Sequence, residues 1–226
     1  MNKPVFYENL KETSKKAADI IAQSINKLLS TQEQVVLGIP GGRSVSRIFQ
    51  KLKGKNIPWK KVHIFMIDER MVSIEDDESN FRLAMECFFG ELIDKKKLPE
   101  QNIYPFIPGK GIKSYEKELK DLGGSYDIIL LSSGEDGHIG ALYPNHSIKD
   151  ESEYYLTMND SPKPPKDRMT SSRKLLLRSK VAILLFFEEA KRNALNRFQD
   201  KDLDINDCPA KLLNYIKDSY ILTDLK

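Results

Sequence analysis

The apolar run YDIILL gives way, after Ser132 and Ser133, to Gly134, Glu135, Asp136, Gly137 and His138. An imidazole titrates near neutral pH and can take a proton from water. A carboxylate two residues away, Asp136, can orient that ring or stabilise its charged form. Three other polar clusters stand in like positions. Gly41, Gly42, Arg43 and Ser44 follow QVVLGIP; Asp68, Glu69 and Arg70 follow VHIFMI; Glu188 to Lys191 follow KVAILLFF. Arg43, Arg70, Lys163, Arg168 and Lys191 can supply an anion site, arginine through its planar fork and lysine as a point charge. Taken singly, Gly-Gly before a helix is a tight turn as often as a ligand site, and Asp-Glu-Arg is more often a solvated loop. Asp-Gly is a common turn, and a lone histidine such as His138 is more often structural. What gives them weight is the expectation that they converge. His63, inside a strand, and His146, after YPN, have no such company and are read as structural.

Convergence depends on the elements between the clusters. Ala17, Ala18, Ile21, Ile25, Leu28 and Leu29 recur at helical spacing, so the first 30 residues read as an amphipathic helix. QVVLGIP, VHIFMI, YDIILL and KVAILLFF read as buried strands. Helices are expected from Val45 to Leu52, from Ser79 with Phe81, Ala84, Met85, Phe88, Phe89 and Leu92 inward, around Tyr115 and Leu119, and from about Glu188. SEYYLTMN is a candidate strand, and SPKPPKDRMTSS is expected to be irregular because its prolines remove donors. PAKLLNYIKD then SYILTD give a closing helix and strand. Strands alternating with helices predict one α/β domain over residues 1–226. Its architecture is three-layer αβα: a mainly parallel, open, Rossmann-like sheet with helices on both faces. In such a sheet the ligand crevice lies beyond the carboxyl ends of the strands.

Composition narrows the function. The 36 Lys and Arg against 33 Asp and Glu leave a net charge of +3, spread along the chain, so nucleic acid is not the implied partner. Cys87 and Cys208 are far apart, with no ligand spacing around them, which points to plain thiols and no metal site. The start of the chain has no apolar h-region and no long apolar run occurs, so no membrane partner is expected and a cytoplasmic protein is. Neither G-x-G-x-x-G nor a GK[ST] phosphate loop is present. A monomer is expected, with an oligomer left open.

Together these motifs resemble the 6-phosphogluconolactonases, relatives of the glucosamine-6-phosphate deaminases. IDERMVSIEDDESNFRLA is similar to the family's strand-end DER and SN-headed helix, and GEDGHIGALYP to its Asp-Gly-His segment with a following aromatic-proline. SPKPPKDRMT resembles its KPP and R-x-T loop, and EEAKRNAL its lysine-bearing helix start. The resemblance runs from about residue 35 to about residue 200. It implies hydrolysis of 6-phosphoglucono-1,5-lactone to 6-phosphogluconate, in the oxidative pentose phosphate pathway, with no cofactor and no metal. It carries the catalytic base onto His138, with Asp136 beside it, and a supporting role onto Asp68 and Arg70. Substrate phosphate falls to Gly41, Gly42, Ser44, Arg168 and Lys191, and to Lys163. Two departures stand out. GGRSVS replaces the family's more usual GGSTP, so Arg43 either contacts phosphate or points to solvent, and Ser132 and Ser133 replace the usual LG-x-G lead-in.

Two alternatives remain. A glucosamine-6-phosphate deaminase or isomerase would use the same scaffold, but those enzymes resemble one another in a carboxylate five residues after the histidine, where this chain has Tyr143. An unperturbed phenol, pKa about 10, does not replace a carboxylate at neutral pH. They also tend to place an aromatic after the Asp-Glu pair, where Arg70 stands. A non-catalytic sugar-phosphate sensor would be expected to lose the base and keep Arg168 and Lys191; this chain keeps both sets.

Overall fold

The computed structural model describes residues 3–146 and 152–226, apart from the side chain of Arg43. Its central sheet alternates apolar side chains between two layers, as the pleat requires when both faces are covered. Strand β1 is Val5–Tyr7, followed by helix α1, Leu10–Leu28, and then β2, Val35–Ile39. Val35, Leu37 and Ile39 point to one apolar layer and Val36 to the other. Helix α2 is Arg43–Lys53, β3 is Val62–Met66, and a short β4 is Asp68–Arg70. Helix α3, Asn80–Ala84, runs through one π-helical turn, Met85–Phe89, into α4, Gly90–Asp94. Next come β5, Ile103–Tyr104, α5, Gly111–Lys120, and β6, Ile128–Ser132. The chain closes with β7, Tyr155–Met158, β8, Arg168–Ser171, α6, Arg173–Leu177, β9, Val181–Phe186, α7, Arg192–Gln199, and β10, Asp218–Thr223.

Seven strands form one sheet in the order β1-β10-β9-β6-β2-β3-β5, and every pairing in it is parallel. Helices α1 to α4 cover one face, where Phe49 stacks on Phe88 at 4.7 Å. Helices α5 to α7 cover the other, around Tyr115, Leu175 and Phe198. The expected three-layer α/β architecture is therefore the observed one.

Several local expectations need correction. The first helix begins only at Leu10, where Asn9 caps it by accepting from the Glu12 N–H at 3.0 Å; the residues before it pair as the edge strand β1. β5 and the 3₁₀ character of Pro209–Tyr215 carry no clear periodic signal. The regular helix expected after Ser79 contains the π-helical turn, which leaves Met85 only half-buried. Most important, Asp68–Arg70 is a strand and not a loop, and so is the end of the proline-rich segment. All three prolines of that segment precede Arg168, so residues 168–171 keep their N–H donors and pair with β4 on one side and β7 on the other, both antiparallel.

This small sheet, β4-β8-β7, carries the Asp68 to Arg70 cluster and Arg168, and a chain of hydroxyls fastens it to the main sheet. The Ile67 carbonyl, between β3 and β4, accepts from both the Ser171 N–H (2.7 Å) and the Ser171 hydroxyl (2.9 Å). With its proton so committed, Ser171 accepts from the Tyr126 hydroxyl at 3.0 Å, and Tyr126 accepts in turn from Tyr155 at 3.0 Å. All three side chains are buried. Tyr126→Phe removes the middle link and leaves the buried Tyr155 hydroxyl without its acceptor. It should cost about 1–3 kcal/mol, read from urea unfolding as a lower midpoint with unchanged slope; an unaltered midpoint would show that the hydroxyl chain does not fasten the small sheet.

Candidate active site

Each main-sheet strand ends at the same rim, and the polar clusters lie there. β2 ends at Ile39 and the chain turns through Gly41 and Gly42 into α2. Gly42 has φ 96°, which favours glycine. At Gly41 the constraint is space: a Cβ there would sit 1.8 Å from the Asn80 side-chain oxygen. No side chain caps the start of α2, so its first N–H groups face outward at the positive end of the helix dipole. Ser44, in its first turn, meets Ser132 at the end of β6 with 3.0 Å between hydroxyl oxygens.

On β4 the three charged residues divide their roles. Glu69 points inward and is 1% exposed. Its carboxylate accepts from the Asn80 and Phe81 N–H groups, both at 2.8 Å, from its neighbour Arg70 at 2.7 Å and from the Ser79 hydroxyl at 3.2 Å. This clamps the head of α3 against β4 and aims Asn80, whose amide donates to the Asp68 carbonyl (3.0 Å) and carboxylate (3.3 Å). Asp68 is buried, which raises its pKa; Arg70, Arg168, His138 and the Asn80 amide oppose that shift. The Arg70 guanidinium donates through Nη1 to the Glu78 carbonyl at 2.6 Å, while its buried Nε has no hydrogen-bond partner among the described residues.

After β6 the chain makes a tight loop around the histidine. Gly134 donates to the His138 carbonyl at 2.8 Å, and a Cβ on Gly134 would fall 1.9 Å from the imidazole, so glycine makes room for the ring. Gly137, at φ 93°, supplies the reversal. The Asp136 carboxylate accepts from the His138 N–H at 3.1 Å and lies 2.5 Å from His138 Nδ1. A proton on Nδ1 satisfies that short contact and leaves the Nε2 lone pair for chemistry. Partial burial acts to raise the Asp136 pKa, but hydrogen bonds from the His138 ring and backbone, and the ring's charge, outweigh it and hold the carboxyl well below the usual range. The Tyr143 ring packs against the imidazole with centroids 4.6 Å apart.

The cationic side comes from two other segments. Arg168, on β8, is 5% exposed and ties down the loop before it, donating from Nε to the Pro165 carbonyl (3.0 Å) and from Nη2 to those of Pro164 (2.9 Å) and Lys163 (3.4 Å). Lys191 closes a 3₁₀ turn, Glu189–Lys191, just after β9. Burial lowers its pKa; Lys163 adds to the effect, and Glu135, Asp136 and Glu188 oppose it.

These groups line one cleft of about 270 Å³. Of the residues singled out from sequence, Gly41, Gly42, Ser44, Asp68 and Arg70 line it, as do His138, Lys163, Arg168 and Lys191, with Asp136 behind the imidazole. The side chain of Arg43 lies outside the described part of the structure. Asn80, Ser132, Gly140 and Tyr143 also line the cleft and were not singled out as site residues. Asn80 is signalled only by standing second in the Ser-Asn head of α3, and Tyr143 by following the Asp-Gly-His segment. His63 lies elsewhere, 3.0 Å from the Tyr104 hydroxyl; His146 pairs with Asp160 at 3.3 Å. A larger groove of about 340 Å³ between β1 and α1 mixes Glu8, Glu12 and Asp19 with Lys15 and Lys16 and converges on no ligand charge. Among the described residues no group of three or more His, Cys, Asp or Glu could hold a metal ion, and no helix is long and apolar enough to cross a membrane.

Residues 8–221 match the family model described as glucosamine-6-phosphate isomerases/6-phosphogluconolactonase. The chain belongs to this family. Among its relatives is the 6-phosphogluconolactonase of Borreliella burgdorferi, 33% identical over 196 residues, which span 84% of this chain and 83% of that protein. That of Synechocystis is 27% identical over 205 residues, 85% of this chain and 83% of its own length. Of the solved structures, the 6-phosphogluconolactonase of Thermotoga maritima superposes with a TM-score of 0.81 at 23% identity, covering 97% of each chain. A monomeric glucosamine-6-phosphate deaminase superposes with a TM-score of 0.78 at 22% identity, covering 99% of this chain and 97% of its own. Family membership thus agrees with the motif resemblance, and the shared fold alone does not separate the two reactions.

The buried clamp gives a prediction of definite sign. Burial raises the Glu69 carboxyl despite the opposing pull of the Asn80, Phe81 and Arg70 N–H groups. The folded state then holds this proton more tightly than the unfolded chain, so the contribution of Glu69 to stability is full below the unfolded value of about 4.3 and declines as pH rises through the folded value. Glu69→Gln does not titrate. The stability of wild type minus that of the variant, from urea unfolding, should therefore shrink as pH rises from about 4 towards 7; a difference that grows over this range contradicts the assignment.

Proposed function

We propose that this protein hydrolyses 6-phosphoglucono-1,5-lactone to 6-phosphogluconate, as an enzyme of the oxidative pentose phosphate pathway. The observation that carries this reading is the cleft itself: a carboxylate-held imidazole faces four cationic side chains and an uncapped helix start within about 270 Å³. That set suits a neutral electrophile attached to a phosphate dianion. The relatives named 6-phosphogluconolactonase support the same substrate.

In this reading the phosphate is held by the N–H groups at Gly42 to Ser44, the Ser44 hydroxyl, Arg168, Lys163 and Lys191. The grip fixes the ring so that the lactone carbonyl meets the imidazole. His138 Nε2 takes a proton from water as its oxygen attacks C1, and Asp136, kept ionised, offsets the charge gained by the ring. Arg70, whose guanidinium lines the cleft, stabilises the oxyanion as it develops. Collapse breaks the bond from C1 to the ring oxygen, which leaves as an alkoxide and receives the proton held on His138. Asp68, which interacts electrostatically with both Arg70 and Arg168, orients the cations. No step needs a cofactor or metal.

Deamination is less well supported, because Tyr143 is buried against the imidazole where those enzymes resemble one another in a carboxylate. We further propose that the chain acts as a single lactonase domain over residues 1–226, as a monomer and in the cytoplasm. Both cysteines are free thiols, as suits a reducing compartment.

Lactone made in situ by glucose-6-phosphate dehydrogenase should disappear faster with the protein than without it, while glucosamine 6-phosphate should release no ammonia. His138→Asn should lower kcat by about 10²–10⁴-fold, and Asp136→Asn by about tenfold or more. Turnover that survives His138→Asn nearly intact would show that the base is misassigned.

A further inference from the structure

Tyr143 stands between the two halves of the cleft. Its ring is 3% exposed, packs with Ala141 and Met158, and lies 4.6 Å from the His138 ring. The ring also neighbours His146, which pairs with Asp160. Its hydroxyl reaches the other half. The Ser161 hydroxyl is 3.0 Å from the phenol oxygen and 2.9 Å from the Lys163 carbonyl, and it accepts from the Lys163 N–H at 3.3 Å. Arg168 holds the same stretch through the carbonyls of Lys163, Pro164 and Pro165. One side chain thus packs its ring on the imidazole and reaches the cationic loop, through Ser161, with its hydroxyl.

We infer that Tyr143 is a positioning residue that sets the distance between the His138 imidazole and the Lys163–Pro165 loop, and with it the length of substrate the cleft accepts. The inference rests on the lactonase reading and assigns the ring and the hydroxyl different tasks. The ring is a wall that holds the imidazole in the orientation its bond to Asp136 requires. The hydroxyl, through Ser161, keeps the loop within reach of a phosphate whose sugar ring is already at His138. Phenylalanine in place of Tyr143 would keep the wall and lose the link to Ser161.

The test uses the full chain with Tyr143→Phe, Ser161→Ala, the double variant and Ser161→Thr, assayed on 6-phosphoglucono-1,5-lactone and on glucono-1,5-lactone, which has no phosphate. Loss of one hydrogen bond corresponds to about a three- to tenfold effect. Tyr143→Phe and Ser161→Ala should each raise KM for the phosphorylated lactone by that factor, with a smaller change in kcat. The double variant should be no worse than Ser161→Ala alone, because both remove one link, and Ser161→Thr should restore most of the loss. KM for the unphosphorylated lactone should move by less than about twofold. Multiplying effects in the double variant, or equal changes on both lactones, would overturn the inference. Should wild type fail to accelerate either lactone, the lactonase reading fails by itself. Calorimetric binding of 6-phosphogluconate to the same proteins then decides the link: weaker, non-multiplying affinities support it, and identical affinities overturn it.

Discussion

Parallel pairing is the constraint on which this molecule depends. A strand paired parallel to its neighbour cannot be reached by a tight turn; the chain must leave at one edge and return to the other through a crossover. In this sheet β2, β3, β6 and β9 all release their chain at the same rim, so four turns far apart in sequence meet there. Turns at that rim are free to carry glycine, histidine and charge because no strand residue is needed beyond them. The main sheet brings together the Gly41 turn, the Gly134 to His138 loop and Lys191. The small antiparallel sheet brings Asp68, Arg70 and Arg168 to face them.

Charge burial is what this arrangement has to manage. Asp68, Glu69 and Arg168 are each less than a tenth exposed, and an isolated charge in such a place is costly. Glu69 is met by three backbone N–H groups and a hydroxyl, Arg168 by three carbonyls, and Asp68 by an amide with two guanidinium groups nearby. Each solution also fixes geometry: Glu69 seats the α3 head that aims Asn80, and Arg168 draws the proline loop over the cleft. The glycines serve the same end by subtraction. Gly41 yields its side-chain volume to Asn80 and Gly134 yields its own to the imidazole.

Much of this was legible in the sequence, for reasons that can be named. Continuous Val, Ile and Leu runs disclose strands buried on both faces, and each is followed by a polar cluster, so the parallel sheet and its rim could be read directly. Asp136 and His138 are two residues apart, and their contact follows from local backbone geometry. The small sheet was hidden because β4 is three residues long and β8 follows three prolines; its strands are defined by pairing with each other and not by any periodicity of their own. Asn80 and Tyr143 were hidden for a related reason. Their places in the cleft depend on partners, Glu69 and Gly41 for one and Ser161 for the other, that lie many residues away along the chain.

The central claim is that one hexose spans the cleft, with its phosphate at the cationic turn and its first carbon at the imidazole. A crystal structure with 6-phosphogluconate bound tests it most directly. The account predicts the phosphate on the N–H groups that open α2, with Arg168 and Lys191, and the carboxylate about 3–3.5 Å from His138 Nε2. A reversed product, with its carboxylate at the Gly41 turn, or one seated away from His138, would contradict it.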